Sequence, residues 1–199
     1  MTEQNELYPI FLKLHQLRLL IVGAGEVGYE KLSFILKSSP QAQVRMVAPW
    51  VSPAITELLT SLDNHHVEII QKTFHENDLD WADLVIAATN IVELNQVVQQ
   101  AAKTRHKLVN VADTPALCDF YLGSIVTKGF LKVAISTNGQ SPTFAKRFRQ
   151  LLEEILPDDT TALLQNLKEI RDRLGGDFAH KVKELNKITA SLLEENIRS

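Results

Sequence analysis

The chain is poor in the features that mark several classes of protein. Its 199 residues include a single cysteine, Cys118, which excludes an intrachain disulfide and any cysteine-rich metal site. No apolar run approaches the roughly 18 residues of a membrane-spanning helix, and the polar segment Met1–Glu6 has no signal-peptide core. The net charge of −3 indicates no basic surface for nucleic acid. We therefore expect a cytoplasmic globular protein that binds neither membranes nor nucleic acid.

Motifs of common metal and serine enzymes are also missing. The six histidines show neither H-x-x-x-H nor H-E-x-x-H spacing, so no metal ligands are predicted. The G-x-S-x-G elbow of serine hydrolases is absent. No tyrosine has a lysine four residues later, which argues against a short-chain oxidoreductase. Cys118 is interpreted as a small, half-buried apolar side chain rather than a catalytic thiol.

What the chain does contain is a glycine fingerprint between a strand and a helix. Four apolar residues, Leu19–Val22, precede Gly23, Gly25 and Gly28 in the spacing G-x-G-x-x-G. Gly23 permits a tight turn, Gly25 lets a pyrophosphate approach the backbone, and Gly28 lets the helix pack closely on the strand. The first N–H groups of that helix then face the phosphates. The pattern predicts a dinucleotide site, although glycines alone are also compatible with a turn that binds nothing.

The first half of the chain alternates between strand and helix patterns. Strands are predicted at Leu17–Val22, Gln43–Ala48, Val67–Gln71, Asp83–Ala88 and Leu108–Ala112, and helices at Val27–Lys37, Pro53–Leu62 and Ile91–Thr104. Such alternation predicts an α/β fold with a Rossmann-type, doubly wound parallel sheet. Ligands of such sheets bind at the carboxyl ends of the strands. The loops expected there are Gly23–Gly28, Pro49–Trp50, Thr89–Asn90 and Asp113.

After Asp113 the pattern changes to a small β-rich region. Ser124–Thr127 and Phe130–Ser136 predict a hairpin with its turn at Lys128-Gly129. Because an isolated hairpin is marginally stable, we expect it to complete a sheet, for example with a second copy of the chain.

The remainder is predicted to be helical. Ser141 and Pro142 suit a helix N-terminus. The helix that follows has one apolar stripe, formed by Phe144, Phe148, Leu151, Leu152 and Ile155. Two more helices are predicted over residues 160–174 and 178–197. The chain is thus predicted to contain a dinucleotide-binding domain (1–113), a dimerisation region of hairpin and helix (114–157) and a helical C-terminal region (158–199).

The residues leave the choice between NAD and NADP open. A typical NAD site has an acidic residue about 20 residues after the glycines, but the segment Val44–Trp50 contains none. Arg45 could meet the 2′-phosphate of NADP, although in mid-strand we expect it to point to solvent. Pro49 and Trp50 could instead contact the adenine or the ribose.

Asp113 is the candidate catalytic residue. It follows the fifth predicted strand, at the edge of the sheet where ligands bind. As a general base it would accept a proton beside the nicotinamide. The other interpretation is a turn residue before Pro115, and the local sequence does not distinguish the two.

A second candidate group surrounds the start of the later helix. Small polar residues fill Ser136–Pro142, and Lys146, Arg147 and Arg149 follow. Such a segment can form an anion cradle that holds carboxylates. Judged locally, a capped helix with a solvated basic face is the simpler interpretation.

Taken together, these motifs resemble one family. They are Tyr8–Leu12 before the fingerprint, Val47–Pro49, Ala87–Asn90, Asn110–Asp113 and Ser136–Pro142. From about residue 7 to 157 the chain is similar to the precorrin-2 dehydrogenase / sirohydrochlorin ferrochelatase family, the dehydrogenase part of siroheme synthase. The tail after Pro157 carries little signature. The methyltransferase domain of fused siroheme synthases is expected to be absent, because the chain ends at Ser199.

The resemblance implies NAD-dependent oxidation of precorrin-2 to sirohydrochlorin, towards siroheme or a cobalamin-type tetrapyrrole, by a homodimer whose interface includes the hairpin. It implies that Asp113 is the essential aspartate. The residues expected to hold NAD are Gly23, Gly25, Glu26, Val27, Gly28, Pro49, Trp50, Thr89 and Asn90. Because this substrate is rich in carboxylates, the anion cradle is expected to bind it. The residues expected there are Ser136, Thr137, Asn138, Gly139, Ser141, Lys146 and Arg149.

Three questions stay open at this point. Some family members also insert Fe²⁺ into sirohydrochlorin, so the use of Fe²⁺ or Co²⁺ as a substrate is undecided. Some members have a phosphorylatable serine where this chain has Thr137, which leaves that modification in doubt. The alternative function is a non-catalytic NAD-binding sensor, which would share the fingerprint but would not need Asp113.

Overall fold

The computed structural model describes residues 4–190. Over this range the chain forms two compact units. The first unit extends to Gly123 and also contains Thr137–Gln140, while the second contains Ser124–Ser136 and the chain from Ser141 onwards. The predicted three-part division, with boundaries after residues 113 and 157, stays a prediction.

The first unit is built on a parallel sheet with helices between its strands. Its strands are β1 (Arg18–Val22), β2 (Gln43–Ala48), β3 (Val67–Gln71), β4 (Leu84–Ala87) and β5 (Leu108–Val111). Its helices are α1 (Glu26–Ser38), α2 (Pro53–Ser61) and α3 (Val92–Thr104). Every neighbouring pair of strands is parallel, and the order is β3-β2-β1-β4-β5. The predicted Rossmann-type α/β fold is therefore confirmed.

Both faces of this sheet are covered. On one face, Ile21 of β1 belongs to the same buried cluster as Leu32 of α1. On the other face, Leu20 belongs to a cluster with Val98 of α3. Since successive residues of a strand point to opposite faces, the unbroken apolar run Leu19–Val22 is what a strand buried on both sides requires.

The second unit combines a hairpin with helices. Strands β6 (Ser124–Lys128) and β7 (Leu131–Ile135) pair in antiparallel fashion, and α4 (Pro142–Ile155), α5 (Thr161–Arg173) and α6 (Phe178–Ile188) follow. As predicted, the side chain of Ser141 caps α4, because it accepts the backbone N–H of Phe144 at 3.2 Å. The last part of the helix predicted over 178–197, from residue 191 onwards, lies outside the described residues.

The turn of the hairpin is fixed by the residues that begin α5. Gly129 has φ +58°, and a Cβ there would collide with the side chains of Asp159 and Thr161. Thr160, only 6% exposed, donates its hydroxyl to the carbonyl oxygen of Lys128 at 2.5 Å. The hairpin and α5 are thus joined through one glycine-dependent turn.

The structure differs from the sequence prediction in local features. A 3₁₀ helix at Glu76–Trp81 has no apolar periodicity to reveal it, and it begins where Asp78 accepts the backbone N–H of His75 at 2.9 Å. The hairpin turn lies at Gly129-Phe130 rather than Lys128-Gly129, because the ladder continues to the pair Lys128 and Leu131. Among residues 4–190, no helix is both long and apolar enough to cross a membrane.

Candidate functional site

The order of the strands places a cleft above β1. Its neighbours are β2 on one side and β4 on the other, so the chain leaves β1 towards one face and reaches β4 from the opposite face. The loops after β1 and β4 therefore diverge at the carboxyl edge of the sheet, which is where nucleotides bind in open α/β folds. The fingerprint forms the first of these loops.

Each fingerprint glycine meets a different steric demand. Gly23 has φ +108°, and a Cβ there would lie 2.5 Å from the carbonyl oxygen of Ala88. A Cβ at Gly28 would collide with the carbonyl oxygen of Gly23, so α1 packs closely on its own loop. At Gly25 a Cβ would meet nothing within 4 Å. The first and third glycines thus hold the turn together, while the second leaves open space for a ligand to approach the backbone.

The N-terminus of α1 lies directly behind that open space. Gly25 is its N-cap and provides no side-chain hydrogen bond, so no capping oxygen competes for the first N–H groups of the helix. Glu26 and Val27 occupy the first turn, where backbone N–H groups and the helix dipole attract a pyrophosphate. These two residues are predicted to contact NAD through their backbone, and the open geometry at Gly25 fits a dinucleotide.

The loop after β4 is locked by a buried amide that the sequence analysis missed. Asn95, 7% exposed, accepts the backbone N–H of Thr89 at 3.1 Å and donates Nδ2 to the carbonyl oxygen of Thr89 at 2.9 Å. Its Oδ1 also lies 2.7 Å from the Thr89 hydroxyl. Thr89 and Asn90 are predicted cofactor residues, and the side chain of Thr89 is used inside the loop itself. The signal for Asn95 was a polar residue in the otherwise apolar face of α3.

The end of β2 offers an apolar wall. Trp50 is 61% exposed, and the carbonyl oxygen of Pro49 accepts Nε2 of Gln71 at 3.2 Å. Pro49 and Trp50 stay predicted contacts of the adenosine.

Arg45 does not point into solvent as expected. Its guanidinium lies 2.7 Å from the Glu68 carboxylate, on the strand partner directly opposite, and 4.2 Å from the ring centre of Trp81. The expectation was wrong because β3 supplies an acidic neighbour and the 3₁₀ helix supplies an aromatic surface, and both attract the cation.

Asp113 follows β5 with an unusual backbone. Its φ is +57°, a left-handed conformation that few residues other than glycine adopt, and its side chain is exposed. Within residues 4–190 this carboxylate has no hydrogen bond or ion pair. It lies two strand spacings from β1, about 10 Å across the same edge of the sheet. Left-handed backbone at a non-glycine residue often marks a functional position.

The residues after Asp113 fold back onto β5. Asp119 accepts the backbone N–H of Val109 at 3.0 Å and pairs with Lys103. The thiol of Cys118 lies 3.2 Å from the carbonyl oxygen of Val111, and burial raises its pKa. A thiol that is protonated and engaged in this way suits a structural residue and not a nucleophile.

The predicted substrate residues form two groups. Thr137–Gln140 is a tight turn: Asn138 and Gly139 have φ +52° and +76°, and the N–H of Gln140 donates to Thr137 at 3.0 Å. These angles are those of a type I′ turn, for which Asn-Gly is the favoured pair. The turn belongs to the first unit, together with the fingerprint, Thr89 and Asp113.

The other substrate candidates belong to the second unit. They are Ser136, Ser141, Lys146 and Arg149. Arg149 forms an ion pair with Glu153 at 2.5 Å, one helical turn away. Lys146 is exposed and has no partner among the described residues. Their role in substrate binding stays a prediction.

A resident metal site is not apparent in residues 4–190. No group of three or more histidine, cysteine, aspartate or glutamate side chains is arranged to hold an ion there.

Comparison with known proteins gives a consistent result. Residues 10–124 match the putative NAD(P)-binding family, and residues 128–155 match the central domain of sirohaem biosynthesis proteins. The siroheme synthase of Zymomonas mobilis is 36% identical over 87% of this chain and 40% of its own length. Siroheme synthase 1 of Klebsiella pneumoniae is 37% identical over 83% of this chain and 34% of its own. The chain thus spans less than half the length of these relatives.

A solved structure agrees with the sequence matches. SirC, a precorrin-2 dehydrogenase, superposes with a TM-score of 0.67 and 28% identity, over 92% of this chain and 89% of that one. The fold and the fingerprint define a Rossmann-type NAD(P)-binding protein, and these matches support NAD as the cofactor, as the sequence predicted. The chain belongs to the precorrin-2 dehydrogenase / sirohydrochlorin ferrochelatase family, the dehydrogenase part of siroheme synthase.

Proposed function

We propose that this chain oxidises precorrin-2 to sirohydrochlorin with NAD as the hydride acceptor, as a step towards siroheme or a cobalamin-type tetrapyrrole. The activity named for the structural relative and the siroheme synthases among the sequence relatives support this function. A sensor that only binds NAD has no such support. The cytoplasm stays the predicted location.

The observation that carries the proposal is the position of Asp113. An unpaired carboxylate stands at the end of β5, in left-handed backbone, on the edge of the sheet that contains the fingerprint. A dinucleotide whose pyrophosphate lies at α1 has one nucleoside towards β2 and the other towards β4 and β5. This geometry supports the proposal that Asp113 lies on the nicotinamide side of the cofactor.

Bound NAD supplies the acceptor for a hydride from the macrocycle. Oxidation of precorrin-2 also removes a proton, and Asp113 accepts it because its carboxylate is exposed and has no competing partner among the described residues. The fingerprint contributes by fixing the cofactor, since correct placement of two reactants is itself a large part of catalysis. One base and a rigid cofactor site suffice for this reaction.

NAD is preferred over NADP in this proposal. The 2′-phosphate of NADP requires a free cation near the end of β2, and Arg45 is already neutralised by Glu68 and stacked on Trp81. We expect NAD to be used at least tenfold more efficiently than NADP, as judged by kcat/KM.

The substrate carboxylates are assigned to the predicted cradle. Lys146 is its strongest candidate because its ammonium group is exposed and has no partner in the described residues. Replacing Lys146 and Arg149 by alanine should raise KM for precorrin-2, and an unchanged KM would remove them from the site.

We further propose that the chain is a homodimer. The helix α4 exposes an apolar stripe, of which Phe144 and Ile155 are 59% and 63% exposed. The hairpin β6–β7 also has only two strands, and two-stranded sheets are marginally stable alone. A second copy that covers this stripe and extends this sheet would satisfy both.

The deciding experiment measures turnover of the Asp113→Asn variant. Precorrin-2, made enzymatically without oxygen, is mixed with protein and NAD or NADP, and the absorption spectrum of sirohydrochlorin is followed. The wild type should turn over with NAD, and the variant should lose about 10²- to 10⁴-fold in kcat, the usual contribution of a general base. NAD binding by the variant should be retained.

Asp63→Asn is the matched control. Asp63 is another exposed aspartate in left-handed backbone, with φ +46°, but it precedes β3 and so lies at the opposite edge of the sheet. Its loss should leave kcat unchanged.

NAD binding without turnover by the wild type would favour the alternative function, a non-catalytic NAD-binding sensor. Adding Fe²⁺ or Co²⁺ to the sirohydrochlorin formed tests chelation in the same cuvette.

A further inference from the structure

We propose that Asn95 is a positioning residue for the cofactor: it holds the loop after β4 in the shape that receives NAD, without touching NAD itself. The proposal concerns a residue outside every motif that predicted the site. It rests on the dinucleotide site at the fingerprint and not on the identity of the substrate.

The hydrogen bonds of Asn95 converge on a single residue of the loop. Its Oδ1 accepts the N–H of Thr89 at 3.1 Å, and its Nδ2 donates to the carbonyl oxygen of Thr89 at 2.9 Å. Only one orientation of the amide satisfies a donor and an acceptor at once, so the two ends of Thr89 are held simultaneously. Because Asn95 is 7% exposed, water cannot replace these bonds easily.

The hydroxyl of Thr89 completes the clamp. It lies 2.7 Å from Oδ1 of Asn95 and 3.0 Å from the carbonyl oxygen of Ile91, and it accepts the N–H of Ile91 at 3.2 Å. The single hydroxyl proton is shared between two acceptors. Backbone and side chain of Thr89 are therefore fixed from the first turn of α3.

The clamped segment forms one wall of the fingerprint turn. A Cβ placed at Gly23 would lie 2.5 Å from the carbonyl oxygen of Ala88 and 2.9 Å from the backbone nitrogen of Thr89. The peptide that Asn95 holds is thus in van der Waals contact with the first glycine of the cofactor loop. A shift of Thr89 would change the gap between the two loops that face each other across β1 and β4, and with it the fit of the dinucleotide.

The test compares NAD affinity with stability in Asn95 variants. In Asn95→Asp a carboxylate oxygen replaces Nδ2 and faces the carbonyl oxygen of Thr89, so the clamp loses its donor. In Asn95→Leu the clamp is lost without an added charge. Both proteins should bind NAD⁺ at least about tenfold more weakly by titration calorimetry, at a temperature where circular dichroism shows them fully folded. Agreement between the two variants excludes repulsion of the pyrophosphate as the cause.

Asn64→Asp and Asn64→Leu are the matched controls. Asn64 also bridges two loops, since its Nδ2 donates to the carbonyl oxygen of Pro40 at 3.1 Å and its Oδ1 accepts the N–H of His66 at 2.8 Å. It precedes β3, at the edge of the sheet opposite the cofactor. These variants should lose stability but keep the affinity for NAD⁺.

If Asn95→Leu does not fold, Thr89→Val replaces it, and Thr89→Ser should bind NAD⁺ more tightly than Thr89→Val because it keeps the hydroxyl.

Three results would overturn the proposal. One is wild-type affinity in a folded Asn95→Leu protein, which would make the amide purely structural, or in Thr89→Val, which would mean that the bond between the Thr89 hydroxyl and Asn95 does not affect the cofactor. Another is weakened binding in Asn95→Asp alone, which would assign the effect to charge. The third is an equal loss of affinity in the Asn64 variants. Because NAD⁺ binding is measured without substrate, failure of the precorrin-2 reaction leaves this test intact.

Discussion

The two units of the chain reach stability in different ways. The first unit buries a sheet on both faces, and large apolar side chains such as Leu20, Leu32 and Ile86 are fully enclosed. Among the residues of the second unit that the structure describes, the buried apolar ones are small, Val126 and Ala145. Apolar pattern alone does not separate the two, because both contain regular stripes.

This difference in the burial of apolar side chains indicates what each unit requires to be stable. A sheet with helices on both sides forms its own core, and so it can hold a cofactor rigidly at its edge. A hairpin with amphipathic helices leaves apolar faces uncovered, and exposed patches of this kind mark protein interfaces. The rigid cofactor site thus belongs to the first unit, and the surface that we propose for association belongs to the second.

The largest expected effect is the loss of a core side chain in the first unit. Ile86 of β4 is completely buried, so Ile86→Ala should lower the free energy of unfolding by about 4 kcal/mol. Both tryptophans, Trp50 and Trp81, lie in the first unit, and their fluorescence during urea unfolding follows it. Ile188→Ala, on α6 and outside the proposed dimer interface, removes the same atoms from a side chain 49% exposed and should cost the second unit less than about 1 kcal/mol, as measured by circular dichroism. Equal losses would contradict the contrast between the units.

The next effect concerns association through the second unit. Phe144 and Phe148 stack on α4 with ring centres 5.9 Å apart, and they are 59% and 39% exposed. Replacing both by alanine should weaken the proposed dimer about 100-fold, since aromatic side chains dominate interface energies. Sedimentation velocity over a range of concentrations measures this change. Phe178→Ala, on α6 and 83% exposed, is the control and should leave the dissociation constant unchanged. A wild type that is monomeric at high concentration would refute the dimer.

Much of the first unit could be predicted from sequence because its signals are local. The run Leu19–Val22, the glycine spacing and the proline at the start of α2 each specify one element, and the observed bounds agree to within one or two residues. The functional site was harder to predict from the sequence. The position of Asn95 in the apolar face of α3 indicates that its side chain is buried, but it does not reveal Thr89 as its partner. Glu68 lies on another strand from Arg45, so their contact depends on strand pairing, which no local pattern encodes.

The smallest effect tests how the first unit joins two of its central strands. Asp83, at the start of β4, accepts two side-chain hydrogen bonds from Arg18 of β1, at 3.1 and 2.9 Å, and the N–H of Arg18 at 2.9 Å. These bonds lower the pKa of Asp83 to about 2. A carboxylate whose pKa is depressed by folding stabilises the native state above the unfolded pKa of about 4, and this contribution is lost as the pH falls towards 2.

Asp83→Asn should therefore destabilise the first unit at pH 7, but by about 1 kcal/mol or less, because the pair is partly exposed to solvent. The difference from the wild type should shrink as the pH is lowered from 4 to 2. The measurement is the urea midpoint of tryptophan fluorescence across this range. In an Arg18→Gln background the Asp83→Asn substitution should have a smaller effect, since the partner that lowers the pKa is gone. A pH-independent difference would mean that packing, and not the charge of the Asp83 carboxylate, holds the two strands together.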